Sequence, residues 1–137
     1  MADTSSSGVA GIIGTGLLAQ RERLSLIASN LANANSVAGP GGQPYRALEP
    51  VFVAAPTGAS AMAVTVAGVV QSTAPPRMQY DPGSPLANRA GYVAGSNVEP
   101  VQQMVDLIDA TQNYQAQIAV LSQSERLDQT IIQSFIA

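Results

Sequence analysis

The stretch NVEPVQQMVDLIDATQNYQAQIAVLSQSERLDQTIIQSFIA, Asn97 to Ala137, decides the fold. Met104, Leu107, Tyr114, Ile118 and Leu121 recur at helical spacing, and the stripe resumes after a polar interval at Ile132 and Phe135. Val101, Val105, Ile108, Val120, Leu127 and Ile131 widen it, and Gln, Asp, Ser and Thr fill the other side. No Gly or Pro follows Pro100. Asn97 is the expected cap, which puts Pro100 in the first turn, where its missing N–H is not needed. A helix of this length measures roughly 55 Å at about 1.5 Å per residue, longer than a small domain is wide. Such a rod needs a partner along its apolar stripe.

The other end of the chain offers a second helix. Asp3 to Ser7 supply capping side chains, and Ile13, Leu17, Leu24, Ile27 and Leu31 follow in a heptad-like seam, with Gln20 at the skipped position. The spacing predicts a helix from Ser6 to Ala34. Its early turns are weak, because Gly8, Gly11, Gly14 and Gly16 each cost about 1 kcal/mol relative to Ala. These glycines suit either close approach of another helix or simple flexibility before assembly. A phosphate loop is excluded, since no Lys follows and no strand precedes. Asn30, Asn33 and Asn35 mark the helix end, and their density points to side-chain amides that satisfy backbone groups in a partner chain.

Between the helices the punctuation changes. Val37 to Pro44 is turn chemistry throughout. A strand-like piece lies around Val51, Phe52 and Val53, limited by Pro50 and Pro56, and a loop is expected over Pro56 to Ser60. Ala61 to Gln71 has the best strand pattern, with Met62, Val64 and Val66 alternating before Val69 and Val70. Arg77 to Tyr80 is a third extended segment, closed by the turn signal Asp81-Pro82-Gly83, and Gly91 to Val93 is a short fourth. The expected fold class is α+β: two long terminal helices forming a coiled-coil-like pair around a small Pro-rich β insert. The divisions are an N-terminal helix over residues 1–36, an insert over 37–96 and a C-terminal helix over 97–137.

Composition excludes most chemistry. The 137 residues contain no His, no Cys and no Lys, so the commonest general base, thiol nucleophiles, Schiff-base amines and nitrogen or sulfur metal ligands are absent. Asp106 and Asp109 sit on neighbouring turns among Gln and Thr, away from the stripe, and Glu125, Arg126 and Asp128 read as a solvated or inter-subunit ion-pair patch. No enzyme activity, cofactor, metal or small-molecule substrate is expected. A formal charge of −3 with six Arg provides no basic stripe, and 4% aromatic residues provide no stacking platform, so nucleic acid is not an expected partner. The apolar run Val9 to Ala19 superficially resembles a signal-peptide core. It is preceded by Asp3 with no basic residue and punctuated by glycines, so no cleaved signal and no membrane span are expected.

Two helices paired with each other leave apolar strips uncovered, and such strips mark association surfaces. The expected assembly interface comprises Ile13, Leu17, Leu24, Ile27, Asn30, Leu31 and Asn33 on the first helix. On the second it comprises Met104, Ile108, Tyr114, Ile118, Leu121, Ile132 and Phe135. A head-to-tail contact that does not close would build a helical tube.

Several motifs then bear on family. Ile27 to Asn35, IASNLANAN, resembles the N-terminal signature of the bacterial flagellar rod, hook and hook-associated proteins. Ser36-Val37, Gly39-Pro40 and Gly42 to Ala47 resemble the longer variant of that signature found in proximal rod proteins. Tyr80 to Ala87, Gly91 to Val93 and Asn97 to Glu99 are similar to their second block. Met104-Val105, Asn113 to Ala116 and Val120-Leu121 are similar to their C-terminal helix motif. The resemblance runs from about Ile13 to Leu127, in the family's order. It implies a structural subunit of the flagellar basal-body rod, crossing the periplasm and exported through the flagellar type III apparatus without a cleaved signal. It also implies other rod proteins, further copies of this chain and the base of the rod near the membrane ring as partners. A free chain would then be weakly helical and gain order on assembly. The alternative is a soluble helical adaptor or export chaperone of the same secretion system, which would form a discrete dimer and stay in the cytoplasm.

Overall fold

A computed structural model describes residues 3–56 and 62–136, with side chains described from residue 8. The capping expected from Asp3 to Ser7 and the loop expected after Pro56 therefore concern side chains and residues outside the described ones. The elements, in order, are α1 (Asp3–Ala32), β1 (Val37–Ala38), β2 (Leu48–Pro56), β3 (Met62–Gln71), β4 (Arg77–Tyr80), β5 (Tyr92–Gly95) and α2 (Pro100–Ile136).

Helix α1 ends where its asparagines begin to bond locally. The Asn33 N–H reaches back to the Ser29 and Asn30 carbonyls, and the Asn33 side chain donates to the Ser29 carbonyl at 2.9 Å. Ser36 Oγ donates to the Asn33 carbonyl at 2.8 Å, which turns the chain out of the helix without a glycine. The chain enters β1 at once, inside the segment expected to be turns. Val37 and Ala38 pair antiparallel with Gly95 and Ala94 of β5, and β4 pairs with the other edge of β5. Gly91 has φ +81°, and a Cβ there would lie 2.9 Å from the Tyr80 ring, so only glycine serves the turn that brings β5 back to β4. Tyr80 and Tyr92 then meet edge-on with centroids 5.2 Å apart.

Strands β2 and β3 form a separate two-stranded antiparallel ribbon. Pro50 is accommodated inside β2 because a two-stranded ribbon leaves each strand an open edge that needs no N–H donor. The ladder shifts between Val51 and Phe52, whose partners are Gly68 and Val66, so Ala67 is the extra residue of a bulge. The same bulge explains the change of phase in sequence from Val64 and Val66 to Val69. A ribbon of this size is marginal in water by itself, and α1 supports it by packing against both strands.

The core sits where the two helices and the start of β2 converge. Ala34, Ala47 and Val98 are buried there with Tyr45 packed against them, and Val98 is fully enclosed. Burying a valine contributes about 1.5–3 kcal/mol. The helices run antiparallel away from this junction, since Asn30 meets Gln103 and Gly16 meets Gln117 at equal intervals along both.

The expected coiled-coil-like pair with a small Pro-rich insert is not what the chain forms. The class is α+β, but the middle is a strand-rich region of five strands in two sheets, and one of those sheets occupies a face of α1. The less exposed residues of α2 include Gln103, Leu107, Ala110, Tyr114, Gln117 and Leu121, a partly polar row at alternating intervals of four and three. Met104, Ile108 and Ile118, read from sequence as part of the seam, are exposed. The cap differs too. Asn97 Oδ1 accepts the Ala47 N–H at 2.7 Å and its Nδ2 donates to the Ala74 carbonyl at 2.9 Å, so this side chain ties strands together while the Glu99 carbonyl accepts the first helical bond from Gln103.

Candidate functional site

In a chain with no His, Cys or Lys, the features that stand out are an exposed surface and the framework that holds it. The framework centres on Asn30, 1% exposed. Its Nδ2 donates to the Leu48 carbonyl at 2.9 Å and to Gln103 Oε1 at 3.0 Å. Its Oδ1 accepts the Leu48 N–H at 2.8 Å and the Tyr45 hydroxyl at 3.0 Å. The two Leu48 bonds treat β2 as a neighbouring strand would, so one amide links α1 to the ribbon, to Tyr45 and to α2 with all its bonding capacity used. With the Tyr45 proton engaged, Ser29 Oγ, 3.2 Å away, is the donor to the Tyr45 oxygen. Nearby, Arg77 donates to the Val98 carbonyl at 3.1 Å, lies 3.6 Å from the Glu99 carboxylate, and so braces the start of α2.

Beyond this junction the helix pair becomes less well satisfied. Gly16 is the one helical glycine among the described residues of α1 that faces another element closely: a Cβ there would stand 3.0 Å from Gln117 Oε1, whereas Gly8, Gly11 and Gly14 meet nothing within 4 Å. The Oε1 atoms of Gln20 and Gln117 are buried without a hydrogen-bond partner. From Gln129 to Ile136 every residue of α2 is exposed.

Three apolar surfaces are left bare among the described residues. The first is the back of α2, where Val101, Met104, Val105 and Ile108 recur at i, i+3, i+4 and i+7 and are 75, 50, 47 and 56% exposed. The second is the end of α2, with Leu127, Ile131, Ile132, Phe135 and Ile136 uncovered. The third is the ribbon, whose Val51, Phe52, Val53, Val64, Val69 and Val70 are all exposed. Grooves run beside the ribbon on both sides of α1, one of about 660 Å³ between α1 and β3 and one of about 370 Å³ beside β2. No described helix is long and apolar enough to cross a membrane.

The residues singled out from sequence divide accordingly. Ile27 and Asn30 are buried within the chain, and Ile13, Leu17, Leu24, Leu31, Asn33, Tyr114 and Leu121 are half-buried. Met104, Ile108, Ile118, Ile132 and Phe135 are exposed. The amides of Asn30 and Asn33 are engaged by this chain's own backbone. Sequence reasoning missed Gln103, Ala110 and Gln117, and it missed the long-range bonds of Tyr45 and Asn97. The alternating intervals of four and three from Gln103 to Leu121 were available as a signal, but two glutamines and an alanine in the row disguised it.

Comparisons with known proteins agree with the geometry. The family described as "Flagella basal body rod protein" matches residues 13–40, and "Flagellar basal body rod FlgEFG protein C-terminal" matches residues 89–134, which are the two helices with their approaches. A relative from Escherichia coli O6:H1, "Flagellar basal-body rod protein FlgC", is 51% identical over 112 residues, covering 81% of this chain and 84% of its own length. A protein of the same name from Yersinia enterocolitica is 47% identical over 117 residues, covering 85% and 87%. One from Aquifex aeolicus is 36% identical, again covering 85% and 87%. With both helical signatures matched and relatives up to 51% identical over most of the chain, the chain belongs to the FlgC family of flagellar basal-body rod proteins.

Proposed function

We propose that this chain takes its place in the rod by covering the bare apolar faces of α2 and the ribbon against neighbouring subunits. The chain is a structural subunit of the flagellar basal-body rod, and the family's role is structural rather than enzymatic. The observation that carries the assembly reading is the outward stripe Val101, Met104, Val105 and Ile108 on a helix of 37 residues. An apolar row at helical spacing, facing away from the rest of the fold, is the form of a helix-packing surface.

In this reading α1 and α2 (within residues 1–36 and 97–137) form the wall of a helical tube that transmits torque, and the strand-rich middle sets contacts around it. Other rod proteins and further copies of the chain cover the helices, and the base near the membrane ring takes the first of them. Residues Met104, Ile108, Ile118, Ile132 and Phe135 act between subunits. Ile13, Leu17, Leu24, Ile27, Leu31, Asn30, Asn33, Tyr114 and Leu121 serve the same assembly by holding the helices in place. The chain reaches the periplasm through the flagellar type III apparatus.

Ile108→Asp tests this. The side chain is 56% exposed, so the isolated chain should keep its stability within about 0.5 kcal/mol. In the rod an unpaired carboxylate would be buried, and the expected result is a folded chain absent from detergent-resistant basal bodies in non-motile cells. Normal incorporation and motility would show that this face is not an assembly surface.

A further inference from the structure

We infer that a tyrosine face on the β4–β5 sheet of one copy covers the outward stripe of α2 in a second copy, with Arg89 set against Asp109. The contact rests on the rod reading above and names what covers the stripe. This face is a fourth exposed surface, smaller than the others and aromatic. Tyr80 pairs with Tyr92 and Met78 with Ala94, so the four side chains share one side of the sheet. Met78, Tyr80 and Tyr92 are 50, 64 and 41% exposed. Tyrosine anchors interfaces well, because it buries a large area for few rotatable bonds.

The face is held ready in the lone chain. Tyr80 meets Tyr92 edge-on and lies so close over Gly91 that a Cβ there would stand 2.9 Å from its ring. The adjoining turn is tied by Asn88, whose Oδ1 accepts the Ala90 N–H at 2.9 Å and the Tyr92 N–H at 3.0 Å. Arg89 therefore rides on a fixed turn beside two fixed rings, and little ordering is left to be done on binding. The chain does not use this face on its own stripe. Arg77 of β4 reaches the Val98 carbonyl just before α2, yet Tyr80 remains 64% exposed and Val101 75%. Cover for both comes from another molecule.

Charge and length match the two patches. Between Pro100 and Ser124 the helix carries Asp106 and Asp109 and no basic residue. Asp106 lines the groove beside β2, which leaves Asp109, one turn beyond Val105, at the far end of the stripe. On the sheet, Arg77 is occupied by Glu99, and the Asp81 carboxylate is turned toward Gly83, 3.8 Å from its Cβ position. Arg89 is the charge that the turn presents. Val101 to Asp109 spans roughly 12 Å of helix, and Met78 to the turn at Asp81 spans roughly 10 Å of strand. With β4 laid parallel to α2, Met78 falls on Val101 and Met104, the tyrosines on Val105 and Ile108, and Arg89 at Asp109. A rim pair of this kind fixes register and partner more than affinity. The two patches are different surfaces of one chain, so the contact is heterologous and repeats from subunit to subunit along a rod.

The chain has no cysteine, so introduced thiols report the contact without background. Ala90→Cys, next to Arg89, and Gln112→Cys, one turn beyond Ile108, are both at exposed positions and leave the charge pair intact. They are placed in one chain, and isolated basal bodies are oxidised. The expected result is a reductant-sensitive ladder of chain multiples, with each single variant staying monomeric. Basal bodies that contain the double variant yet give no ladder, only a closed dimer, or a product with a different rod protein would overturn the contact. Charge reversal tests the same pairing without cysteines. Arg89→Glu or Asp109→Arg alone should cut incorporation into basal bodies several-fold, and the two together should restore it. Incorporation indifferent to both reversals, or not restored by the pair, would overturn the pairing. Absence of the unaltered chain from basal bodies would overturn the rod reading itself.

Discussion

Removing the Asn30 amide strands four groups at once: the Leu48 N–H and carbonyl, the Tyr45 hydroxyl and the Gln103 amide oxygen. Each buried group left without a partner costs about 1–3 kcal/mol, and water or small shifts recover part of it. Asn30→Ala should therefore destabilise the chain by about 2–4 kcal/mol, measured by urea unfolding under circular dichroism. Asn30→Asp should fare little better, because a carboxylate cannot donate to Leu48 and Gln103. A loss under about 0.5 kcal/mol, the range of an ordinary surface substitution, would show that the junction is held by its small apolar core instead. The importance of this position was visible in the sequence as a dense run of asparagines. Its bonding was not, because the partners lie 18 and 73 residues away in the chain. Asn97 is the plainer case: a good cap by local pattern, it is committed to Ala47 and Ala74, 50 and 23 residues distant. Local rules rank what a side chain can do nearby, and tertiary partners then compete for the same atoms.

The glycines of α1 separate flexibility from close packing at the scale of the element. Gly11 and Gly14 have open space where a Cβ would go, so Gly11→Ala and Gly14→Ala should each gain about 0.4–1 kcal/mol through helix propensity and a less flexible unfolded chain. At Gly16 the new methyl would press on Gln117 at 3.0 Å, so Gly16→Ala should gain less or lose stability. Urea midpoints of the three variants check this, and an equal gain at all three would remove the packing role assigned to Gly16. The strands were largely legible: Ala61 to Gln71 and Arg77 to Tyr80 declared themselves by alternation and by the prolines around them, and the structure has β3 and β4 there. Strand β1 was hidden because two residues in a turn-rich stretch carry no period. The inward face of α2 was legible only in part, through Leu107, Tyr114 and Leu121. Periodicity finds apolar residues, and here the apolar residues Met104 and Ile108 point outward while glutamines point in. A subunit with two sets of neighbours, its own elements and other molecules, divides its apolar residues between them, and sequence pattern does not say which set each serves.

The whole molecule is a small junction core from which a helix of 30 residues and one of 37 project side by side, about 45 and 55 Å long. Only ten hydrophobic residues among those described are buried, six of them alanines, and long rows of valine, isoleucine and leucine remain in water. A fold so thinly covered has little free energy in reserve, and each neighbour that binds only the ordered chain adds to its stability by mass action. The proposed role in the rod therefore requires that the outward face of α2 be covered between molecules. Cysteine accessibility tests it most directly, in a chain that has no cysteine of its own. With Ile108→Cys as the probe, maleimide labelling should be fast on the purified chain and strongly suppressed in intact basal bodies carrying the same variant. Equal labelling in the two states would contradict the claim.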